Sequence, residues 1–172
     1  MNAKDKQLVK KRLMAIAGSF VIGTLLMAAK FYVYHLTQSA AVLSDALESI
    51  INVVASLFAM GSIWLAAQPP DESHPYGHGK IEFFSAGFEG ALIILAAIGI
   101  FHTGVDHLRN PTPLTSLDLG LTVLLIASTV NMLLGLFLIR VGKSTTSLAL
   151  VADGKHVLTD VVTSVGVLVG LL

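Results

Sequence analysis

The sequence contains no cysteine, which excludes a disulfide framework and any metal site built from thiolates. It also has no excess of either charge, because 11 lysine and arginine residues balance 11 aspartate and glutamate residues. Nothing in this balance suggests nucleic acid as a partner. Charged residues make up only 13% of the 172 positions, whereas 54% are hydrophobic. This composition is typical of a membrane protein rather than of a soluble domain.

Five apolar segments are long enough to cross a hydrocarbon layer about 30 Å thick. We place these spans at residues 13–34, 39–67, 81–108, 117–140 and 147–172. Short connections separate them, and prolines at positions 69, 70, 111 and 113 are helix stops. No segment requires a strand. The sequence therefore predicts an all-α, polytopic transmembrane helical bundle over residues 1–172.

Lysine and arginine are distributed unevenly among the connections, and this asymmetry predicts the orientation. Most of them flank the N-terminal segment, the 68–80 loop and the 141–146 loop, which we therefore place in the cytoplasm. Only Arg109 falls in a loop on the opposite side. The chain stops within the apolar run "VGVLVGLL" without a polar tail. We expect it to be a fragment of a longer protein.

One polar pattern occurs twice, in "SDALESIINVV" from Ser44 and in "ADGKHVLTDVV" from Ala152. On a helix, positions i, i+3 and i+7 lie within a stripe about 60° wide, so each set lines one face. The deeper members of both sets fall near the middle of the bilayer. The two sets are Asp45, Glu48 and Asn52, and Asp153, His156 and Asp160.

Four polar groups at one depth imply mutual contact or a shared ligand, because isolated polar groups are costly there. Glu48, Asn52, His156 and Asp160 form a quartet of three oxygen-bearing side chains and one imidazole, which suits a divalent first-row metal. The two carboxylates would neutralise such an ion, and protons would replace it when it leaves. The alternative is that these side chains only hold helices together through hydrogen bonds.

Asp45 and Asp153 lie one turn from the quartet on opposite sides, because the second and fifth spans are antiparallel. Each could attract cations at one mouth of an access path. Helix capping or a hydrogen bond to a metal ligand would equally explain both residues. On the third span, Glu82 is expected to pair with Lys80 or another basic neighbour, while the deeper Glu89 could contact the translocation path.

The 68–80 loop contains a carboxylate and two imidazoles close together, in "PPDESHPYGHGKIE". Asp71, His74 and His78 could bind a second divalent ion there. The two histidines could equally serve only as hydrogen-bonding loop residues.

The segment "HPYGHGKIE" and the quartet positions resemble those of the cation diffusion facilitator family, and the resemblance covers essentially the whole chain. It implies six transmembrane helices, of which five are present, and a cytoplasmic C-terminal domain that binds metal and dimerises. It implies the quartet as the transport site, the loop trio as a second metal site, and Lys80 as a structural salt-bridge residue. Familiar zinc exporters have His/Asp or Asp/Asp where this chain has Glu48 and Asn52, which favours iron(II) or manganese(II).

By this resemblance we expect a homodimeric antiporter in a bacterial cytoplasmic membrane, which exports zinc, iron(II) or manganese(II) in exchange for protons. The metal is then the substrate, and no cofactor or enzymatic activity is expected. Two alternatives use the same ligands: a membrane metalloenzyme and a metal sensor that does not transport. A metalloenzyme usually has several histidines at the membrane face or an open coordination position beside a general base.

Overall fold

The computed structural model describes residues 3–37, 40–109 and 117–170, which form five helices and no strand. The all-α prediction is confirmed. In chain order the helices are α1 (Ala3–Thr37), α2 (Ala40–Ala66), α3 (Ile81–Arg109), α4 (Leu117–Thr145) and α5 (Leu148–Gly170). The proposed connection at 109–116 lies almost entirely outside the described residues.

Within the described ranges, four stretches are long and apolar enough to cross a membrane: Ala3–Thr37, Asp45–Ala66, Ile81–Gly99 and Thr122–Thr145. The fifth helix, which we also predicted to be a span, is not among them. It carries three charged residues, Asp153, Lys155 and Asp160.

The predicted bounds of the 141–146 connection are wrong, because α4 continues as a helix to Thr145 and α5 begins at Leu148. The chain reverses at Thr146, whose φ of 55° is left-handed. The backbone N–H of Ser147 donates to the carbonyl of Gly142 at 2.9 Å, which is the six-residue bond of a Schellman motif. A helix end of this kind usually has glycine at the left-handed position, and the threonine here concealed it in the sequence.

Three glycines allow α4 and α5 to pack with their backbones almost in contact. A Cβ atom on Gly154 would lie 2.8 Å from the carbonyl oxygen of Gly135, and one on Gly135 would lie 2.9 Å from the carbonyl oxygen of Gly154. A Cβ on Gly142 would lie 2.9 Å from the backbone nitrogen of Val151. This α4–α5 hairpin fixes the position of α5.

The hydrophobic core joins α1, α2, α4 and α5, and includes Ile16, Ile63, Leu138 and Leu150, each at most 1% exposed. Large apolar side chains on the outside, such as Leu25 and Phe101, are 65% and 75% exposed. An outer surface of this kind is suited to lipid.

The three segments predicted to be cytoplasmic meet at one end of the bundle. The Arg12 guanidinium contacts both Glu82 and the carbonyl oxygen of Thr145, and Lys11 donates to the Ser144 hydroxyl at 3.3 Å. We call this the Arg12 end of the bundle.

Candidate metal centre

Asn52 and Asp160 join α2 to α5 in the interior of the bundle. The Asn52 amide nitrogen donates a hydrogen bond to Oδ2 of Asp160, although 108 residues separate them in the chain. Asn52 is 9% exposed and Asp160 is 6% exposed. The two repeated polar faces therefore point toward each other, as their positions on the helices suggested.

His156 lies one turn before Asp160 on α5 and is 3% exposed. Neither of its ring nitrogens has a hydrogen-bond partner among the described residues, and the amide oxygen of Asn52 has none. Buried polar atoms are nearly always paired in native proteins, so unpaired ones need an explanation. An imidazole nitrogen and an amide oxygen with free lone pairs, beside a carboxylate, are available as metal ligands.

Glu48 lies one turn before Asn52 on α2, is only partly buried, and is within electrostatic range of Asp160. Its carboxylate does not join His156 and Asp160 as a compact trio. Among the described residues, only the loop trio brings its ligand atoms within 4.8 Å of one another. The structure thus brings Asn52 and Asp160 into contact, with Glu48 one turn away on α2 and His156 one turn away on α5.

Asp45 is paired with a lysine that lies deep in α1. The Lys30 ammonium donates to Oδ1 of Asp45 and to the hydroxyl of Ser49, each at 2.9 Å. The side chain of Lys30 is 5% exposed and that of Asp45 is 24% exposed. Lys30 also lies within electrostatic range of Glu48 and Asp160. A fixed positive charge therefore lies beside the quartet, and the access role of Asp45 stays a prediction.

Asp153 is completely buried, with 0% exposure. The Ser19 hydroxyl of α1 donates to its Oδ2 at 2.8 Å. A narrow polar cavity of about 10 Å³ runs beside Ser19, Lys30, Asn52 and Asn131. Its size is close to that of a single water. In this conformation Asp153 does not line an open mouth, and its predicted access role stays untested.

Asp71, His74 and His78 converge in the connection between α2 and α3. Oδ1 of Asp71 is 3.1 Å from Nδ1 of His74, and Oδ2 is 3.3 Å from Nε2 of His78. The two imidazole rings have centroids 4.5 Å apart. Gly77 allows this turn, because its φ of 81° is costly for residues with a Cβ. The ligand atoms of the loop trio all lie within 4.8 Å of one another, which is close enough for them to share one divalent ion.

The backbone N–H of His74 donates to Asp71 at 2.6 Å, and this bond, followed by the neighbouring imidazole, lowers the pKa of the exposed Asp71 carboxyl. A lowered carboxyl pKa stabilises the folded turn above the ordinary aspartate pKa, and this contribution is lost as pH falls through the lowered value. Asp71 therefore remains an anion in mildly acidic solution. Protons also compete with metal for the two imidazoles, so acidification should weaken metal binding at the loop trio.

We expect cobalt(II) to bind at the loop trio at pH 7.5 and to be released at about pH 5, as protons displace it from imidazole. His78→Gln should remove this binding, because it leaves too few ligands for a stable site. His102→Gln, which changes an exposed histidine on α3, is the matched control. The visible absorption of cobalt(II) reports coordination. An unchanged spectrum in His78→Gln would show that the trio is not the site.

Glu82 of α3 is bound to α1 and to the start of α5 at the Arg12 end, and its basic partner is Arg12 rather than Lys80. Its Oε1 accepts from Arg12 at 3.1 Å. Its Oε2 accepts from the Ser147 hydroxyl at 2.6 Å and from the backbone N–H of Ala149 at 3.4 Å, at the start of α5. Lys80 is exposed and forms no ion pair with the described residues of the chain. Its predicted salt bridge between helices or subunits stays a prediction.

Glu82→Ala should lower the free energy of unfolding by about 3 kcal/mol, because it removes the ion-pair partner of Arg12 and leaves the Ser147 hydroxyl without its acceptor. Glu72→Ala, in the exposed loop, should change it by less than about 0.5 kcal/mol. Reversible unfolding in mixed detergent micelles measures both values. Equal stability of the two variants would contradict a connecting role for Glu82.

Comparison with known proteins identifies the family. Residues 16–172 match the family described as the cation efflux transmembrane domain. An uncharacterized transporter of Synechocystis sp. is 44% identical over 145 residues, which are 84% of this chain and 47% of that protein. The cation-efflux pump FieF of Citrobacter koseri is 33% identical over 171 residues, covering 99% of this chain and 56% of the pump.

The FieF pump of Escherichia coli O1:K1 is 32% identical over the same shares of both chains. This chain spans about half the length of the curated relatives it matches. Together with the apolar helices, the match establishes a multi-pass membrane protein. The chain belongs to the cation efflux family, as its resemblance to the cation diffusion facilitators predicted.

Proposed function

We propose that the protein exports a divalent metal cation from the cytoplasm in exchange for protons, by alternating access to a site between α2 and α5. Membership of the cation efflux family supports the direction and the class of substrate. The relatives that are named cation-efflux pumps support the same activity for this chain. In such transporters, helices rock around a fixed site near the middle of the bilayer.

The observation that carries the proposal is the set of unpaired ligand atoms around Asp160. Both nitrogens of His156 and the oxygen of Asn52 are buried and have no partner among the described side chains and backbone, next to a buried carboxylate. If these residues only joined helices, their hydrogen-bonding capacity would be used. An ion held by His156, Asp160 and Asn52, with Glu48 closing on it, would be bound by one imidazole nitrogen and the amide oxygen together with the carboxylates. Glu48 and Asp160 together would balance its charge.

Proton exchange follows from the chemistry of these ligands. Carboxylates buried in low dielectric are costly as bare anions, so protons should replace the metal when it leaves. Imidazole also binds metal only in its neutral form, so protons compete for His156. The Lys30 ammonium, held by Asp45, adds a positive charge near Glu48 and Asp160. It would disfavour retention of the ion and so favour its release.

The ligand set bears on which metal is carried. An amide oxygen is a harder and weaker ligand than a thiolate or an imidazole. Glu48 and Asn52 in α2 therefore favour iron(II) or manganese(II) over zinc. In the proposed cycle the ion enters past Asp153 from the Arg12 end and leaves past Asp45 on the far side.

The cytoplasmic membrane of a bacterium is the proposed location, and the bacterial origin of the relatives supports it. A homodimer is the proposed assembly. The exposed Lys80, which has no ion-pair partner among the described residues of its own chain, is available to an acidic group of a second subunit.

Uptake into everted membrane vesicles tests the proposed function. Zinc, iron(II) and manganese(II) are supplied outside vesicles whose interior has been acidified, and the accumulated metal is measured. We expect accumulation that collapses when a protonophore dissipates the gradient. Metal that binds without crossing the membrane would identify a sensor, and bound metal with formation of a product would identify a metalloenzyme. Either result would overturn the proposal.

A further inference from the structure

A second polar cluster lies between α3 and α5, on the side of the quartet nearer the Arg12 end. It contains Glu89 and Ser85 of α3, Asp153 of α5 and Ser19 of α1. Glu89, Ser85 and Asp153 are each 0% exposed, and Ser19 is 2% exposed. Asp153 lies one turn before His156 on α5, so the cluster adjoins the quartet without sharing a residue with it. We call it the oxygen cluster.

Most of the oxygen atoms in this cluster have no hydrogen-bond partner of normal geometry in the part of the chain that the structure describes. The bond from Ser19 to Oδ2 of Asp153, at 2.8 Å, is the one described contact of normal geometry within it. Both carboxylate oxygens of Glu89, the hydroxyl of Ser85 and Oδ1 of Asp153 are buried, and none of them forms a hydrogen bond of normal geometry with the described residues. Ser85 lies close to Glu89, one turn away on α3. Unpaired atoms contributed by two packed helices indicate a position for a ligand.

The charges in the cluster are not balanced by the neighbouring side chains. The Glu89 carboxylate lies within electrostatic range of Asp153. Among the described residues, neither acid forms an ion pair, because Arg12 is bound to Glu82 and Lys30 to Asp45. Lys155, the nearest basic residue in sequence, is exposed. Two buried carboxylates within electrostatic range of each other are costly as bare anions, and a bound cation would neutralise both.

We propose that Glu89 and Asp153, with the hydroxyls of Ser85 and Ser19, bind a divalent cation at a second intramembrane site. Two carboxylates balance the charge of one divalent ion. Because every ligand is an oxygen, the site suits hard cations such as manganese(II) or magnesium. The quartet differs, because His156 contributes a nitrogen ligand in addition to the oxygen ligands.

The position of the oxygen cluster gives it a role in transport, and this role rests on the proposed function. An ion moving from the Arg12 end toward His156 passes Asp153 one turn earlier on the same helix. The oxygen cluster is then a waiting site, where a hard divalent ion sheds water before it reaches the quartet. The binding itself does not depend on transport.

Manganese(II) binding to the purified chain, followed by electron paramagnetic resonance, tests the site. The starting variant carries His78→Gln and Asp160→Asn, which disable the loop trio and the quartet. We expect manganese to bind to this variant, and Glu89→Gln added to it should weaken that binding by at least about tenfold. Glu72→Gln, the same change at an exposed loop residue, should leave it unaltered.

Thermal unfolding separates lost binding from lost structure. Glu89→Gln removes a buried, unpaired charge while keeping the side-chain size, so we expect a variant at least as stable as its parent. Absence of manganese binding in the starting variant would overturn the proposal, and so would binding unaffected by Glu89→Gln. Either failure would leave gradient-driven uptake by the unmodified chain intact, whereas failure of the proposed export function would remove that uptake.

Discussion

Asp160→Asn should abolish metal uptake and should weaken metal binding at the quartet by more than about a hundredfold. A loss of that size is larger than the usual effect of removing a residue that only forms a hydrogen bond to a metal ligand. The substitution keeps the size of the side chain and can still bond to the Asn52 amide. It removes a buried carboxylate that balances the charge of the ion. Binding calorimetry and vesicle uptake measure the two effects.

Exchanging the two residues provides the matched control. The double variant Asn52→Asp and Asp160→Asn retains one carboxylate and one amide at the same contact between α2 and α5. We expect it to recover part of the binding that Asp160→Asn loses. If Asn52 and Asp160 only join the helices, the single variant should bind and transport as well as the original chain, which would contradict a ligand role for Asp160.

Gly154→Ala should destabilise the bundle by about 3 kcal/mol, at the upper end of the range for overpacking. The new Cβ would lie 2.8 Å from the carbonyl oxygen of Gly135, and a backbone atom cannot move away as a flexible side chain can. The α4–α5 hairpin must therefore open. Because His156 and Asp160 lie on α5, we expect weaker metal binding together with lower stability. Unfolding in mixed micelles and calorimetry measure both.

Gly87→Ala is the control, since a Cβ at Gly87 of α3 would have nothing within 4 Å. Alanine should be neutral or favourable there by up to about 1 kcal/mol, because it is the better helix former. If Gly154→Ala were as stable as Gly87→Ala and bound metal normally, close backbone packing would not be what positions α5.

The sequence was sufficient to predict the helices. It also predicted that the two repeated polar faces, on α2 and α5, point toward each other. The length of an apolar segment is enough to indicate a membrane span, whichever helices it packs against. Helical periodicity places Asn52 and Asp160 on polar faces, and the cost of burying them makes those faces turn toward each other. The contact between their side chains is the result.

Partner choice was not predictable, because it depends on how each helix is rotated and on which residues its ends meet. Glu82 has Lys80 two positions away in sequence, but pairs with Arg12, which is 70 positions away. Lys30 could have extended toward the membrane surface, but is held by Asp45 and Ser49. Nor did any sequence pattern mark Gly135 and Gly154 as the point where two backbones touch.

The central claim is that metal and protons cross the membrane in opposite directions through the quartet. Proteoliposomes that contain both a metal indicator and a pH indicator test it most directly, because the two fluxes are recorded on the same vesicles. We predict that manganese(II) or iron(II) entering the vesicles is matched by proton release from them, and that Asp160→Asn abolishes both signals together. Metal entry with no change in internal pH, or entry that persists in Asp160→Asn, would contradict the account.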